Sequence, residues 1–358
     1  MGKAKDLCVL CALAVNEKMK VDLKALNQSE TEAFVREQGL EPYRAKQIRQ
    51  WIFKGLVTGF DEMTNIAKKV RSQLEEKAYL TNLGVLETEV SKDHTTKFLF
   101  RLGDGHTIES VLIPERDHFT LCISSQAGCA MGCRFCLTGK QGLRRNLTAS
   151  EIVDQVILVK RSMDEPERLT NIVFMGMGEP LANYDAVLKA LTNIISEEGM
   201  NFSHHHVTLS TCGLVPEMER FGKDITVNLA VSLNAADDKS RTFLMPVNRK
   251  YPLKSLISAC KKFPLPNRRM ITFEYILIDS VNDQEEDAAK LVKLLKGIRA
   301  KINLIPLNPH PGLALNPSPA DRILQFQEIL VQNHFTAIIR KSKGRDISAA
   351  CGQLSGKQ

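Results

Sequence analysis

Cys129-Ala-Met-Gly-Cys133-Arg-Phe135-Cys136 decides how the rest of this 358-residue chain is read. Three cysteines at this spacing offer soft thiolates, the donors that select iron–sulfur clusters. A four-iron cube normally takes four thiolates. No fourth cysteine lies close by in sequence, so one iron would stay open to a small molecule. A zinc knot or buried free thiols are the alternatives. Zinc sites usually show two paired-cysteine halves, and no second pair lies at a suitable distance here.

Composition sets the context. Hydrophobic residues make up 43% of the chain, enough to bury one large core plus a smaller domain. The longest apolar runs are strand-length, so no membrane span is expected. The run Cys8-Val-Leu-Cys11-Ala-Leu-Ala-Val is too weak for a secretory signal, and its CxxC reads as incidental thiols. Nine cysteines, an odd number without a framework, point to a reducing cytosol and a cytoplasmic protein. The net charge of +7, from 48 basic against 41 acidic residues, is compatible with a nucleic-acid partner without establishing one. Each basic pair along the chain, Arg144-Arg145 among them, reads by itself as solvated surface.

Outward from the cysteines, the chain divides into an extension (1–20), a helical domain (21–85), a β-hairpin linker (86–118), an α/β core (119–350) and a tail (351–358). In the helical domain, Ile48, Trp51, Ile52 and Phe53 fall at helical offsets and form one apolar stripe. The hairpin is written as Lys97–Leu102 and Thr107–Pro114 around Gly103-Asp104-Gly105. A strand at Phe119–Ser124 runs into the cysteine loop. Beyond it, Thr148-Ala-Ser-Glu151 is a capping box opening a helix. Strands at Asn171–Met175, Val207–Ser210, Val227–Ser232, Ile271–Ile276 and Lys301–Ile305 follow, mostly separated by helical patterns, with a late strand at Phe335–Ile339. This alternation predicts a parallel sheet with crossover helices, a partial (β/α)6 TIM-like barrel rather than a full eight.

Active sites in such folds gather at the carboxyl ends of strands. Met175-Gly176-Met177-Gly178-Glu179-Pro180 ends one strand with two glycines, which permit close backbone approach, and a carboxylate able to receive a ligand ammonium. Taken alone, it could equally be a plain strand-to-helix turn. Ser210, Ser232-Leu233-Asn234 and Asn308 end further strands and could hydrogen-bond a ligand, although each by itself reads as strand-end capping.

Taken together these segments carry a family resemblance. The CxxxCxxC loop, with an aromatic residue before its last cysteine, resembles that of radical S-adenosylmethionine (SAM) enzymes. Glu109-Ser-Val-Leu-Ile-Pro-Glu115, Leu121-Cys122 through Cys129, Gly142–Leu147, Met175–Pro180, Thr208–Thr211, Asn303–Pro306 and Ala350-Cys351-Gly-Gln-Leu354 resemble the RlmN and Cfr family of radical SAM adenine methyltransferases, RlmN most closely. The match runs from about Val21 to Gln353.

The resemblance implies one [4Fe-4S] cluster per chain on Cys129, Cys133 and Cys136, with SAM chelated by the open iron. Gly178, Glu179, Ser210, Ser232, Leu233, Asn234 and Asn308 would bind SAM. It implies 23S ribosomal RNA as substrate, methylated at C2 of adenine 2503, with adenine 37 of transfer RNA as a second target left open. C2 carries no acidic proton and the ring is electron-poor, so a carbon radical suits it better than polar methyl transfer. By the same resemblance two SAM molecules are used per turnover. Cys351 takes a methyl from the first, and a deoxyadenosyl radical from the second removes a hydrogen from that S-methyl group. The methylene radical adds to adenine and leaves RNA bonded to Cys351. Glu109 then deprotonates the ring carbon, and Cys122 attacks Cys351 to release product as a transient disulfide forms. An electron donor such as flavodoxin or ferredoxin is implied, and a monomer is expected.

Cys212 and Cys260 match no catalytic position and read as core or incidental thiols. Asn234 stands where the family often has histidine, which would be tolerated if the contact runs through the backbone. The loop from Leu137 to Arg145 resembles the Cfr version somewhat more than many RlmN loops, which keeps methylation at C8 as the alternative. Arg144, Arg145, Lys341, Lys343 and Arg345 flank the site in sequence and are candidate phosphate contacts.

Overall fold

The computed structural model describes residues 20–356, so Cys8 and Cys11 lie outside the described residues. The N-terminal domain opens with β1 (Val21–Asp22) and packs α1 (Gln28–Glu37), α2 (Tyr43–Phe53) and α3 (Lys68–Lys77), then closes with β2 (Ala78–Tyr79) beside β1. Asn27 caps α1: its side chain accepts from the Glu30 amide at 2.9 Å, and Glu30 accepts from the Asn27 amide at 2.8 Å. This reciprocal box fixes the start of the helix at Gln28, because both orphan donors are satisfied there. Ile48, Ile52 and Phe53 are buried along the predicted stripe, with Phe34 and Val35 of α1 buried as well. Trp51 is half-buried, its indole N–H donating to Asn65 Oδ1 at 2.6 Å.

The domain is joined to the core by buried polar contacts. Lys24 and Asp154, both with fully buried side chains, pair at 2.5 Å. Arg49 donates to Asn193 Oδ1 at 3.0 Å and to the Leu26 carbonyl at 2.8 Å. Charges taken out of water persist only when paired or hydrogen-bonded, so these contacts fix how the domain sits.

Three antiparallel strands follow: β3 (Gly84–Val90), β4 (Thr96–Arg101) and β5 (Thr107–Pro114). The hairpin read from sequence is β4–β5. The segment is continuous with the core, because β5 pairs with β6 (Phe119–Cys122) to make one ten-stranded sheet. The third strand, β3, was not legible: its side chains are mostly exposed and its apolar residues do not alternate. A short ribbon of β7 (Gln126–Gly128) and β8 (Leu143–Asn146) flanks the one-turn helix α4 (Leu137–Lys140).

Six crossovers then build the parallel part of the sheet. They run through α5 (Ala149–Arg161) to β9 (Leu169–Phe174), through α6 (Tyr184–Ile195) to β10 (Val207–Thr211), and through α7 (Val215–Asp224) to β11 (Asn228–Ser232). Next come α8 (Asp238–Leu244) and α9 (Leu253–Lys262) before β12 (Ile271–Leu277), α10 (Glu285–Leu295) before β13 (Ala300–Pro306), and α11 (Ala320–Gln332) before β14 (Thr336–Ile339). The order β14-β13-β12-β11-β10-β9-β6-β5-β4-β3 gives six β/α units closed by a seventh parallel strand, as the alternation predicted.

Alternation along the strands separates two faces. Ile172, Phe174, Leu209, Leu229, Val231 and Phe273 are 0–1% exposed on one face. The other face can be followed across the sheet by register. Glu89 opposes Lys97, Lys97 opposes Val111, Val111 opposes Cys122, Cys122 opposes Val173, and Val173 opposes Thr208. Ser210, Ser232 and Glu274 share that face further along. This polar inner face carries the chemistry.

Candidate active site

Cys122 ends β6, and the cysteine loop hangs from the ribbon after it. The Cys129 amide donates to the Gly142 carbonyl at 3.0 Å, the Arg134 amide to the Leu244 carbonyl at 2.9 Å, and the Cys136 amide to Cys133 at 3.1 Å. Gly128 must be glycine: its φ is +76° and a Cβ would meet the Gly142 oxygen at 2.0 Å.

Cys133 and Cys136 are half-buried and Cys129 is 8% exposed, all three as free thiols. Burial pushes each thiol up, Cys129 to about 12, and the neighbouring cysteines add to the shift at Cys129 and Cys133. Among the described residues no three His, Cys, Asp or Glu side chains converge as a single metal ion would need. A cube asks something different, because each thiolate binds a different iron. The donor set fits that group: three soft sulfurs from one anchored loop, whose elevated pKa values bound metal would reverse.

Glu179 lies beside this loop, 4% exposed. Its Oε2 accepts from the Cys212 amide at 2.8 Å and its Oε1 from the Leu181 amide at 3.2 Å. Burial pushes this carboxyl up, and those hydrogen bonds pull it back. Gly178 has φ +103°, and a Cβ there would lie 2.6 Å from the Gln126 Cβ. The Glu179 amide donates to Gln126 Oε1 at 2.8 Å, so the turn is locked to the cysteine-bearing ribbon.

The remaining ligand candidates divide. Ser210 and Ser232 are half-buried on the inner face. Leu233 is fully buried and acts through its backbone, its carbonyl accepting from Arg241 at 3.1 Å. Asn234 sits at φ +57°, a conformation asparagine tolerates better than most residues. Its side chain is taken up: Oδ1 accepts from the Ile276 amide at 2.9 Å, and Nδ2 donates to Met245 sulfur at 3.3 Å. Asn308 donates to the Cys351 carbonyl at 3.2 Å while its buried Oδ1 has no hydrogen-bond partner, an acceptor left for a ligand.

Cys351 is exposed to solvent, although neighbouring protein atoms crowd its thiol. Burial among protein atoms pushes its thiol up to about 11, with Glu274 adding to the rise and Arg340 opposing it. Burial also pushes Cys122 far up, with Cys351 the second cause, so the two sulfurs lie within electrostatic reach. The Leu137 amide donates to the Gly352 carbonyl at 2.8 Å, tying the Cys351 loop directly behind the cysteine motif. Glu109, 1% exposed, completes the group: its Oε2 accepts from the amides of Ser355 at 2.7 Å and Gly356 at 3.0 Å. Residues from four separate stretches thus meet in one place.

Some residues were missed or misread. Cys212 and Cys260 are buried core thiols, as read, and the Cys212 backbone amide in addition holds Glu179. Glu274 faces the same interior, its carboxyl pushed up by burial and hydrogen-bonded by Asn303 at 2.9 Å. The fully buried Arg241 donates to the carbonyls of Cys212 and Leu233. Only the tertiary register could place these. Arg145 is committed elsewhere: it pairs with Asp104 and makes two 2.8 Å bonds to Glu151, so its charge is spent within the protein. Lys341 and Arg345 are exposed.

Residues 123–292 match the Radical SAM superfamily, and residues 21–80 match the Ribosomal RNA large subunit methyltransferase N-terminal domain. A dual-specificity RNA methyltransferase RlmN from Geobacter sulfurreducens is 55% identical, over 94% of this chain and 92% of its own. That of Geotalea uraniireducens is 54% identical, over 94% and 97%. The crystal structure of a radical SAM methyltransferase from Sphaerobacter thermophilus superposes with a TM-score of 0.90 at 44% identity, covering 94% of this chain and all of that one.

Proposed function

The chain belongs to the RlmN family of radical SAM RNA methyltransferases, and from that premise we propose that it methylates C2 of adenine 2503 in 23S ribosomal RNA, and adenine 37 of transfer RNA, through S-methylated Cys351. The observation that carries this reading is the meeting of Cys122, Cys351, Glu109 and the cysteine loop at one end of the sheet.

Cys129, Cys133 and Cys136 would hold a [4Fe-4S] cluster, which when bound supplies the electron that cleaves SAM. Glu179 receives the SAM ammonium, Ser210 and Ser232 offer hydroxyls to its polar groups, and the free Oδ1 of Asn308 accepts a donor. Cys351 carries the one-carbon unit and is bonded through it to the adenine carbon. Glu109 accepts the proton from that carbon. Cys122, as thiolate, then attacks the Cys351 sulfur. A sulfur–sulfur bond forms, the sulfur–carbon bond breaks, and the electron pair stays with the methylene carbon, which takes a proton to become methyl. Splitting a difficult step through a covalent intermediate lowers each barrier. One electron enters from an external carrier such as flavodoxin or ferredoxin for SAM cleavage, one leaves the adenine adduct with the proton as its ring is restored and returns to the redox centre, and two from an external thiol reductant reopen the Cys122–Cys351 disulfide.

The test is product identity. Ribosomal RNA methylated anaerobically by the reconstituted protein is digested to nucleosides and separated by mass spectrometry. The expected product is 2-methyladenosine; 8-methyladenosine alone would assign the chain to the C8 alternative. The same assay on transfer RNA tests the second substrate.

A further inference from the structure

Glu109 is hydrogen-bonded differently at its two oxygens. Oε2 takes both of its hydrogen bonds from the tail, through the amides of Ser355 and Gly356. Oε1 faces Lys97 Nζ at 3.5 Å, in an ion pair whose side chains are 6% and 1% exposed. The two donor sets belong to parts of the chain with different freedom. Lys97 is on β4, beside the edge strand β3, directly opposite Glu89 and diagonal to Glu109, and is itself held by Glu89 Oε2 at 2.8 Å and the Ile347 carbonyl at 2.6 Å. The tail amides lie only four and five residues beyond Cys351, whose sulfur must meet SAM, adenine and Cys122 in turn.

We propose that Lys97 is a positioning residue for Glu109: it holds Oε1 in place while the tail amides leave Oε2 to the adenine ring. This rests on the reading of Glu109 as the base. A buried carboxylate stripped of all its donors would be free to turn away from the ring it must face. Lys97 prevents that, because it stays when the tail moves. The tail is held on both sides of Cys351. Its near end is pinned to the β3–β4 turn, where Ser91 donates to Asp346 at 2.5 Å and the Gly344 amide to Asp93 at 3.0 Å. Its far end is held by Glu109 and by Thr138, which donates to the Leu354 carbonyl at 2.6 Å. Cys351 hangs between the two.

Among the described residues, the charged and titratable groups that register places on the face around Glu109 are Glu87 and Glu89 from β3, Lys97 and Arg101 from β4, and the Cys122 and Cys351 thiols. Lys97 is the cation of that set seen to pair with Glu109, so removing it takes away the charge that faces Oε1. The experiment compares Lys97→Met, Lys97→Gln and Lys97→Arg with the parent in single turnovers on RNA, following free methylated RNA and the covalent protein–RNA adduct across pH. The Gln variant keeps a donor for the Ile347 carbonyl and so separates loss of charge from loss of the staple. Both neutral variants are expected to accumulate adduct, with release slowed about 10- to 100-fold relative to the parent at each pH. Arg should release within a few-fold of the parent. Release at the parental rate by both neutral variants at every pH overturns the proposal. Glu109→Gln separates the two readings. If it traps adduct while Lys97→Gln does not, only the role of Lys97 fails; if it releases product normally, the base assignment fails.

Discussion

The Ser355 backbone N–H donates to Oε2 of Glu109 at 2.7 Å, which seats the end of the described chain on the carboxylate that the chemistry needs. Gly356 adds a second donor at 3.0 Å. The base and the tail therefore compete: while these hydrogen bonds exist, the oxygen is closed to adenine.

RNA must displace those bonds on entry. Hydrogen bonds to a charged group contribute about 1.5–3 kcal/mol each, part of which the incoming substrate recovers. A chain ending at Leu354 is expected to bind RNA roughly tenfold more tightly, because the tail no longer occupies Oε2. Fluorescence anisotropy with labelled RNA measures this. Unchanged or weaker binding would show that the tail does not compete with substrate.

Release is expected to depend on pH through its nucleophile. Burial pushes the Cys122 thiol up, and it attacks only as thiolate. Below a raised pKa the thiolate fraction grows about tenfold for each unit of pH, so the release rate should climb with that slope through neutrality until another step limits it. Rapid-quench measurement of adduct decay checks the slope. A flat profile would mean that Cys122 is activated by a group that also removes its proton.

The docking of the N-terminal domain depends on Lys24. Removing one partner of a buried ion pair leaves an unpaired buried charge, at a cost of roughly 3–5 kcal/mol. Lys24→Met should lower stability by about that amount, measured by urea unfolding. Combining it with Asp154→Leu should recover much of the loss. A cost near zero for the single change would mean that the seam does not bear on stability.

How much of this was visible in the sequence depended on range. The parallel strands and the cysteine loop were legible because period-two and helical patterns are local. Glu109, Cys122, Cys351 and Glu179 were found through motif resemblance, and the register then puts Glu109 and Cys122 on one face. Strand β3 was not found because its side chains face solvent and carry no alternation. Glu274 and Cys212 look like ordinary core positions in sequence, and their partners lie on other strands and loops. Arg145 was misread for the same reason: its carboxylate neighbours Asp104 and Glu151 are brought to it by folding. The extension, with Cys8 and Cys11, lies outside the described residues.

The central claim is that Cys351 carries the transferred carbon and Cys122 releases it. The direct test is anaerobic incubation of Cys122→Ala, reconstituted with iron and sulfide, with RNA, SAM and reductant, followed by denaturing electrophoresis and peptide mass spectrometry. The account predicts an RNA-linked protein band whose adduct maps to Cys351, absent when Cys351 is also changed to alanine. Free, normally methylated RNA from the Cys122 variant would contradict it.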